Sequence, residues 1–389
     1  MKRRAFIAAA CAAALCTATP ARARSVTTRV VKRLKLKFTT KAPTFASQRY
    51  GELMDRGRLF YLGAGIWHEQ NTFYLLRLKD RKKITVRAPI QRFLLANRRT
   101  FPRAGTGGRM PAYKARRLLF YDRAQQVAGI LLVDQIYKQH TIYYYLHWDL
   151  KQGRITSATR ISSIQRNHSW ISVRPIGYAP KRRELYLHVV KKQNAARGAA
   201  RPMEVSVIAV GKGTLRVVAS FLGARRYSRG PFHDPAHQRA FLVEYAERGE
   251  TPAPQGFLVD LVGGKVTRIS VPVVTYGVAF PADGKHLFAY SAQSGDVWKI
   301  DTRTGRRIAK TRVGGLGHEA GMITPDTLLV VRNQALHFLD PKRLRQWKQI
   351  PVKRFHQGFM HVQGTLVAPG WVFLRCSDDL YAIQVKLGK

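Results

Sequence analysis

Val297-Trp298-Lys299-Ile300-Asp301-Thr302-Arg303-Thr304-Gly305-Arg306 reads as a short apolar strand running into a tight turn. The Asp accepts hydrogen bonds from backbone N–H groups across the turn, and the Gly takes the positive φ that a hairpin loop requires. The same order recurs in residues 145–154, with Asp149 and Gly153, and in residues 257–265, with Asp260 and Gly264. Residues 76–84 keep Asp80, residues 336–344 keep Asp340, and residues 205–213 keep only a Gly turn. Residues 380–385 are the same strand without its turn, which makes seven units, the later ones about 40 residues apart.

A second marker lies upstream in four of these units. Phe280-Pro281-Ala-Asp283-Gly284 and Thr324-Pro325-Asp326 read as strand–turn–strand, with looser versions around Pro180 and Pro235. Apolar or alternating runs of strand length separate the two markers, and only residues 89–98 hint at a helical period. Short strands, regular turns and this period predict an all-β fold, a seven-bladed β-propeller with four antiparallel strands per blade. The alternative is a β-sandwich or a two-domain all-β chain. Ring closure is expected through a strand near residues 29–38, completing the sheet formed by the C-terminal strands near 366–385, because an open array would expose its edges.

The Asp–Gly turn pattern, with Trp148-Asp149 at one blade end, resembles bacterial propellers of the YVTN and WD-repeat type. Residues 297–331, with Asp301, Gly305 and Gly315-Leu316-Gly317-His318, are also similar to the heavy chain of periplasmic amine dehydrogenases. The resemblance is good over residues 255–345 and weak elsewhere. It implies a fold and no activity, since propellers host unrelated functions.

The N-terminus reads as an export signal. Met1 to Arg4 carry positive charge, residues 5–18 are mainly Ala, Ile, Leu and Cys, and Ala21-Arg22-Ala23 is a small-x-small cleavage site. Arg3-Arg4-Ala5-Phe6-Ile7 resembles the twin-arginine motif. The expected division is therefore a signal peptide over 1–23 and a single propeller domain over 24–389, periplasmic or secreted by a bacterium. Of three cysteines only Cys376 lies beyond the signal, so an intramolecular disulfide and Cys-rich metal sites are excluded there. No apolar run reaches the roughly 18–20 residues of a spanning helix, and a monomer is expected.

Charge is the strongest signal. The 389 residues carry 68 Lys+Arg against 22 Asp+Glu, a formal net charge of +46, while 45% hydrophobic residues allow a large core. Residues 81–117 hold twelve bases and no acid, with Pro102, Gly105, Gly107, Gly108 and Pro111 marking an exposed insertion on the second blade. Such a field recruits anions. Arg98, Arg99, Arg103, Arg109, Arg116 and Arg117 are expected to form a patch for an anionic polymer, such as a polysaccharide, lipopolysaccharide or nucleic acid, or for an acidic protein. Interleaved aromatics such as Phe93 and Phe101 suit stacking on bases or sugars.

Catalytic motifs are sparse. No Gly-x-Ser-x-Gly is present, and Cys376 reads as a strand residue. His233-Asp234-x-x-His237 is the tightest His cluster, but Pro235 makes it a turn, so neither a metal site nor a cofactor is expected. What remains is positional. Aligning Gly277, Gly321 and Gly358 superposes three inner strands and places Tyr276, His318, Glu319, His356 and Gln357 at the mouth of the channel. His168, Trp170, Arg174 and Arg229 occupy comparable places in earlier blades. Propellers commonly bind ligands there. The expected function is a binding or scaffold module. The alternative is an oxidoreductase- or lyase-type propeller enzyme, which requires His168, His318, Glu319 and His356 to meet in one pocket.

Overall fold

The computed structural model describes residues 25–35, 53–55, 58–64, 71–80, 82–104, 113–136, 140–163, 168–193, 203–223, 230–243, 255–272, 275–314, 317–332, 335–351, 362–376 and 379–388. Their strands form seven four-stranded antiparallel sheets, so the all-β seven-bladed propeller is the observed fold. The first strand of the chain is β1 (Val26–Lys35). The first blade holds β2 (Leu53–Met54), β3 (Leu59–Ala64), β4 (Thr72–Arg77) and β5 (Lys83–Arg87). A helix, α1 (Ile90–Ala96), precedes the second blade of β6 (Tyr113–Asp122), β7 (Val127–Ile136), β8 (His140–Asp149) and β9 (Arg154–Ser163). The third blade holds β10 (His168–Ala179), β11 (Glu184–Gln193), β12 (Met203–Val210) and β13 (Leu215–Gly223). The fourth holds β14 (Phe232–Asp234), β15 (Arg239–Val243), β16 (Gln255–Asp260) and β17 (Val266–Ser270). The fifth holds β18 (Thr275–Ala279), β19 (His286–Ser291), β20 (Asp296–Asp301) and β21 (Arg307–Arg312). The sixth holds β22 (Gly317–Thr324), β23 (Thr327–Arg332), β24 (Ala335–Leu339) and β25 (Gln346–Pro351). The seventh joins β26 (Val362–Ala368), β27 (Trp371–Cys376) and β28 (Asp379–Leu387) to β1.

The Asp turns sit where a third strand passes to a fourth. Asp301 Oδ1 accepts the N–H groups of Arg303 (2.9 Å) and Thr304 (2.7 Å), and Asp260 Oδ1 accepts those of Val262 (2.8 Å) and Gly263 (3.1 Å). Gly305 and Gly264 follow with φ of 68° and 74°. In the sixth blade Leu344 takes that place with φ 53° and is buried, so its side chain packs where the others need only backbone freedom. The proline markers lie between first and second strands: Pro180, Pro235, Pro281 and Pro325 each follow an inner strand.

The first strands of successive blades pack against one another and ring the axis. Because each sheet is covered on both faces, middle strands such as β23 and β24 are buried almost throughout, whereas the outer β5 and β21 alternate with solvent. Among the described residues the apolar core divides into seven clusters, one at each seam between neighbouring blades. The ring closes as expected: β1 runs antiparallel to β28, with Val26 opposite Leu387 and Lys35 opposite Asp379. This removes the outer edge that β28 would otherwise expose.

Two expectations are refined. The 81–117 segment joins the first blade to the second, and its part up to Ala104 is packed; residues 105–112, with the glycines and Pro111, lie outside the described residues. Ile90 and Leu94 lie one helical turn apart, and with Phe101 and Ala104 they are buried in the seam between these blades. Phe101 meets Tyr113 and Tyr144 edge-on, at 5.3 and 5.1 Å between ring centroids. The glycine alignment holds for two of its three members. A Cβ on Gly277 would collide with the backbone of Ala320, and one on Gly321 would lie 2.6 Å from Val367 Cβ, so glycine lets these inner strands approach. The last inner strand spans Val362–Ala368; Gly358 lies outside the described residues, and Thr365 holds the equivalent place ahead of the turn proline.

Candidate functional site

The inner strands carry the predicted mouth residues, and their register fixes which way they face. Arg174 on β10 pairs with His188 on β11, so both turn toward the fourth blade. The Arg174 guanidinium reaches across the seam and donates from Nη1 to the carbonyl of Gly230 at 3.2 Å. Burial pushes His188 down to about 3, with the Arg174 charge acting in the same direction. His233 lies on the facing strand directly over Gly177, where any Cβ would strike its ring. Burial lowers it to about 4 against the opposing pull of Asp234.

Tyr276 and His318 stand at β-bulges at the start of β18 and β22, and both are half-buried. Such bulges re-aim a side chain beside a functional opening. Glu319 is 7% exposed and pairs with Val331, which turns it toward the seventh blade. Arg117 was assigned to the polyanion patch, but it lies on the inner strand β6, half-buried and opposite Leu131, facing the third blade as Arg174 faces the fourth. Arg174 and Glu319 thus sit in separate inter-blade seams, third to fourth and sixth to seventh. His168 and Trp170 open β10 as expected, with side chains outside the described residues; Arg229, His356 and Gln357 lie outside them altogether. The four-residue meeting that an enzyme requires therefore falls outside them too.

His233 and His237 do not share a ligand face. Asp234 is buried and its carboxylate takes hydrogen bonds from His237 Nδ1 (3.0 Å) and Arg239 Nη2 (2.7 Å), a closed turn. Among the described residues no group of three or more His, Cys, Asp or Glu side chains is placed to hold a metal ion. No helix among them is long and apolar enough to cross a membrane.

The polyanion set also divides. Arg98 and Arg99 are exposed just beyond α1. Arg103 turns inward: it is ion-paired with Asp134, whose side chain is 7% exposed, and its guanidinium stands 5.8 Å from the Tyr113 ring centroid. It anchors the insertion while its side chain stays 34% exposed. Arg109, and the side chain of Arg116, lie outside the described residues.

Solved structures that the chain matches include a WD40 propeller. A chain of the mitotic checkpoint complex superposes with a TM-score of 0.53 at 8% identity, covering 91% of this chain and 93% of that one. The Neurospora crassa Pan2 WD40 domain gives 0.54 at 13% identity, covering 92% and 95%. At such identities the likeness shows the fold alone. No protein-family profile matches the chain, and no curated protein matches its sequence. The finer likeness to YVTN propellers and to amine dehydrogenase remains a likeness of motif.

One site escaped the sequence reading. On the face bearing the turns, a cleft of about 530 Å³ opens beside the first blade, lined by Asp55, Arg58, Leu59, Arg77, Leu78, Lys79, Arg123, Trp371 and Gln384. Its residues come from three blades, so no local motif marks it.

Proposed function

We propose that the chain is a binding or scaffold propeller that engages an anionic polymer, or an acidic protein surface, outside the cytoplasm. The observation that carries this reading is a repeated cation. The turn between third and fourth strands presents exposed Lys82 and Lys83, Arg154, Lys212, Lys265, Arg306 and Arg345 in six consecutive blades. The turn aspartates are occupied with backbone N–H groups, and none of these cations is ion-paired among the described residues. Arg92, Arg98 and Arg99 are exposed on the insertion, at the end of β5 away from this turn, and add positive charge there. A charge repeated at blade spacing suits an extended polymer better than a compact ligand. One of the propellers the chain resembles is seen within the mitotic checkpoint complex, in keeping with a binding role for this architecture. Export through residues 1–23 is part of the proposal, and N-terminal sequencing of the protein from its producing cells, with the chain beginning at Arg24, tests it.

Binding of this kind rests on counterion release and falls log-linearly with salt. Replacing Arg154, Lys265, Arg306 and Arg345 by Ser removes four phosphate- or sulfate-facing charges and is expected to flatten the salt slope for heparin, lipopolysaccharide or DNA by about three to four units. Equal affinity of variant and wild type, or no binding by the wild type at about 0.15 M salt, overturns the reading.

A further inference from the structure

The cleft on the turn face lies where the ring closes, between the first blade and the seventh, with one corner of the second. Its floor is apolar. Leu59 and Leu78 are buried, and Trp371 is half-buried and stacked on Phe373, 6.0 Å between centroids at 16°. Phe373 in turn stacks on Phe60 across the seam at 4.2 Å and 15°. Gln384 is the cross-strand partner of Trp371, so its amide stands beside the indole.

The rim is cationic, and its acids are committed elsewhere. Arg77 forms a bidentate pair with Asp80, at 2.8 Å from Nε and 2.6 Å from Nη2. Asp55 Oδ1 accepts the backbone N–H of Arg123 at 3.0 Å, and the Asp55 N–H donates to the Tyr121 carbonyl at 2.8 Å. These bonds lock the turns of the first two blades together. The Leu78 N–H, donating to the Arg58 carbonyl at 3.0 Å, fixes the two turns of the first blade against each other. Arg58, Lys79 and Arg123 are left exposed around the opening, with no carboxylate partner among the described residues.

We propose that this cleft binds a small phosphorylated ring compound, with its ring on Trp371 and its phosphate held by Arg58, Lys79 and Arg123. The volume falls in the range of small-molecule sites, roughly 300–1,000 Å³. Three cationic side chains match a group with three acceptor oxygens, where a carboxylate has two. An indole face packs on a nucleobase or on a sugar ring, and Gln384 offers both a donor and an acceptor to the ring edge. The site is independent of the polymer-binding rim, because its recognition combines an apolar floor with three converging cations.

Isothermal titration of the full chain at about 0.15 M salt with adenosine 5′-monophosphate, glucose 6-phosphate and inorganic phosphate tests it. At least one ringed phosphate is expected to bind tenfold or more tightly than inorganic phosphate; preference for the nucleotide identifies a base as the ring, and preference for the hexose identifies a sugar. Arg58→Ser with Lys79→Ser, both at exposed side chains, is expected to lose tenfold or more. Trp371→Leu is expected to bring the ringed ligand down to the level of inorganic phosphate. The four-turn variant of the polymer rim is expected to bind these ligands as the wild type does, which separates failure of one site from failure of the other. No ringed phosphate exceeding inorganic phosphate, or unchanged affinity in the Arg58/Lys79 variant, overturns the proposal.

Discussion

The first blade meets its two neighbours in different ways. Toward the second blade it shares a seam of twenty buried apolar residues, of which the insertion supplies Ala88, Ile90, Leu94, Phe101 and Ala104. Toward the seventh blade the described residues bury a smaller cluster of Phe60, Leu76, Leu78, Phe373 and Ala382. An inner strand of two residues, β2, buries little by itself, so the insertion makes up the core on one side. On the other side the cationic cleft opens over Leu59, Leu78 and Trp371. Thick packing and a binding cleft are alternative uses of one blade's two faces.

The sharpest way to break this comparison is at Phe101, 1% exposed and wedged among aromatic rings. Phe101→Ala is expected to lose about 3–5 kcal/mol in chemical denaturation; a loss under about 1 kcal/mol would reduce the insertion to decoration. A third seam gives an intermediate test by pH. His188 and His233 sit in the folded chain at about 3 and about 4, below the unfolded value near 6.5. Below pH 6.5 the unfolded chain binds more protons, so stability is full above that pH and falls as pH drops toward the folded values. At about 1.4 kcal/mol per histidine per pH unit, about 3 kcal/mol is lost between pH 7 and pH 5.5. Urea midpoints across that range check this, and a flat profile would mean that both rings accept protons in place. The smallest effect is expected at the closing seam. Phe373→Leu keeps most of the apolar bulk and removes two ring stacks, for a loss of about 1 kcal/mol by the same denaturation assay.

The fold was legible because its signals are local. Asp301 and Gly305 bond within their own turn, and residues 380–385 could be recognised as a third strand lacking its turn because the fourth strand, β1, comes from the other end of the chain. The helix showed only as a hint at residues 89–98, since glycines and prolines beyond it marked the segment as a loop. The site was less legible for the opposite reason. Arg103 is silent about Asp134, thirty-one residues on, and Arg117 looks like its neighbours in a basic run until the register places it on an inner strand. Arg58, Arg123 and Trp371 meet only because three blades converge.

The pairing of β1 with β28 also sets an order of events. The strand that finishes the seventh sheet is the first to be synthesised, and its partner is the last. The other six sheets are each contiguous in the chain and can assemble as they emerge, while residues 26–35 wait without their partner until residue 387 has been made. Contacts this distant in sequence form slowly, because the chain must be brought together before they contribute. Relocating β1 to follow β28 by circular permutation would leave every sheet contiguous, and the ring could then assemble without that wait.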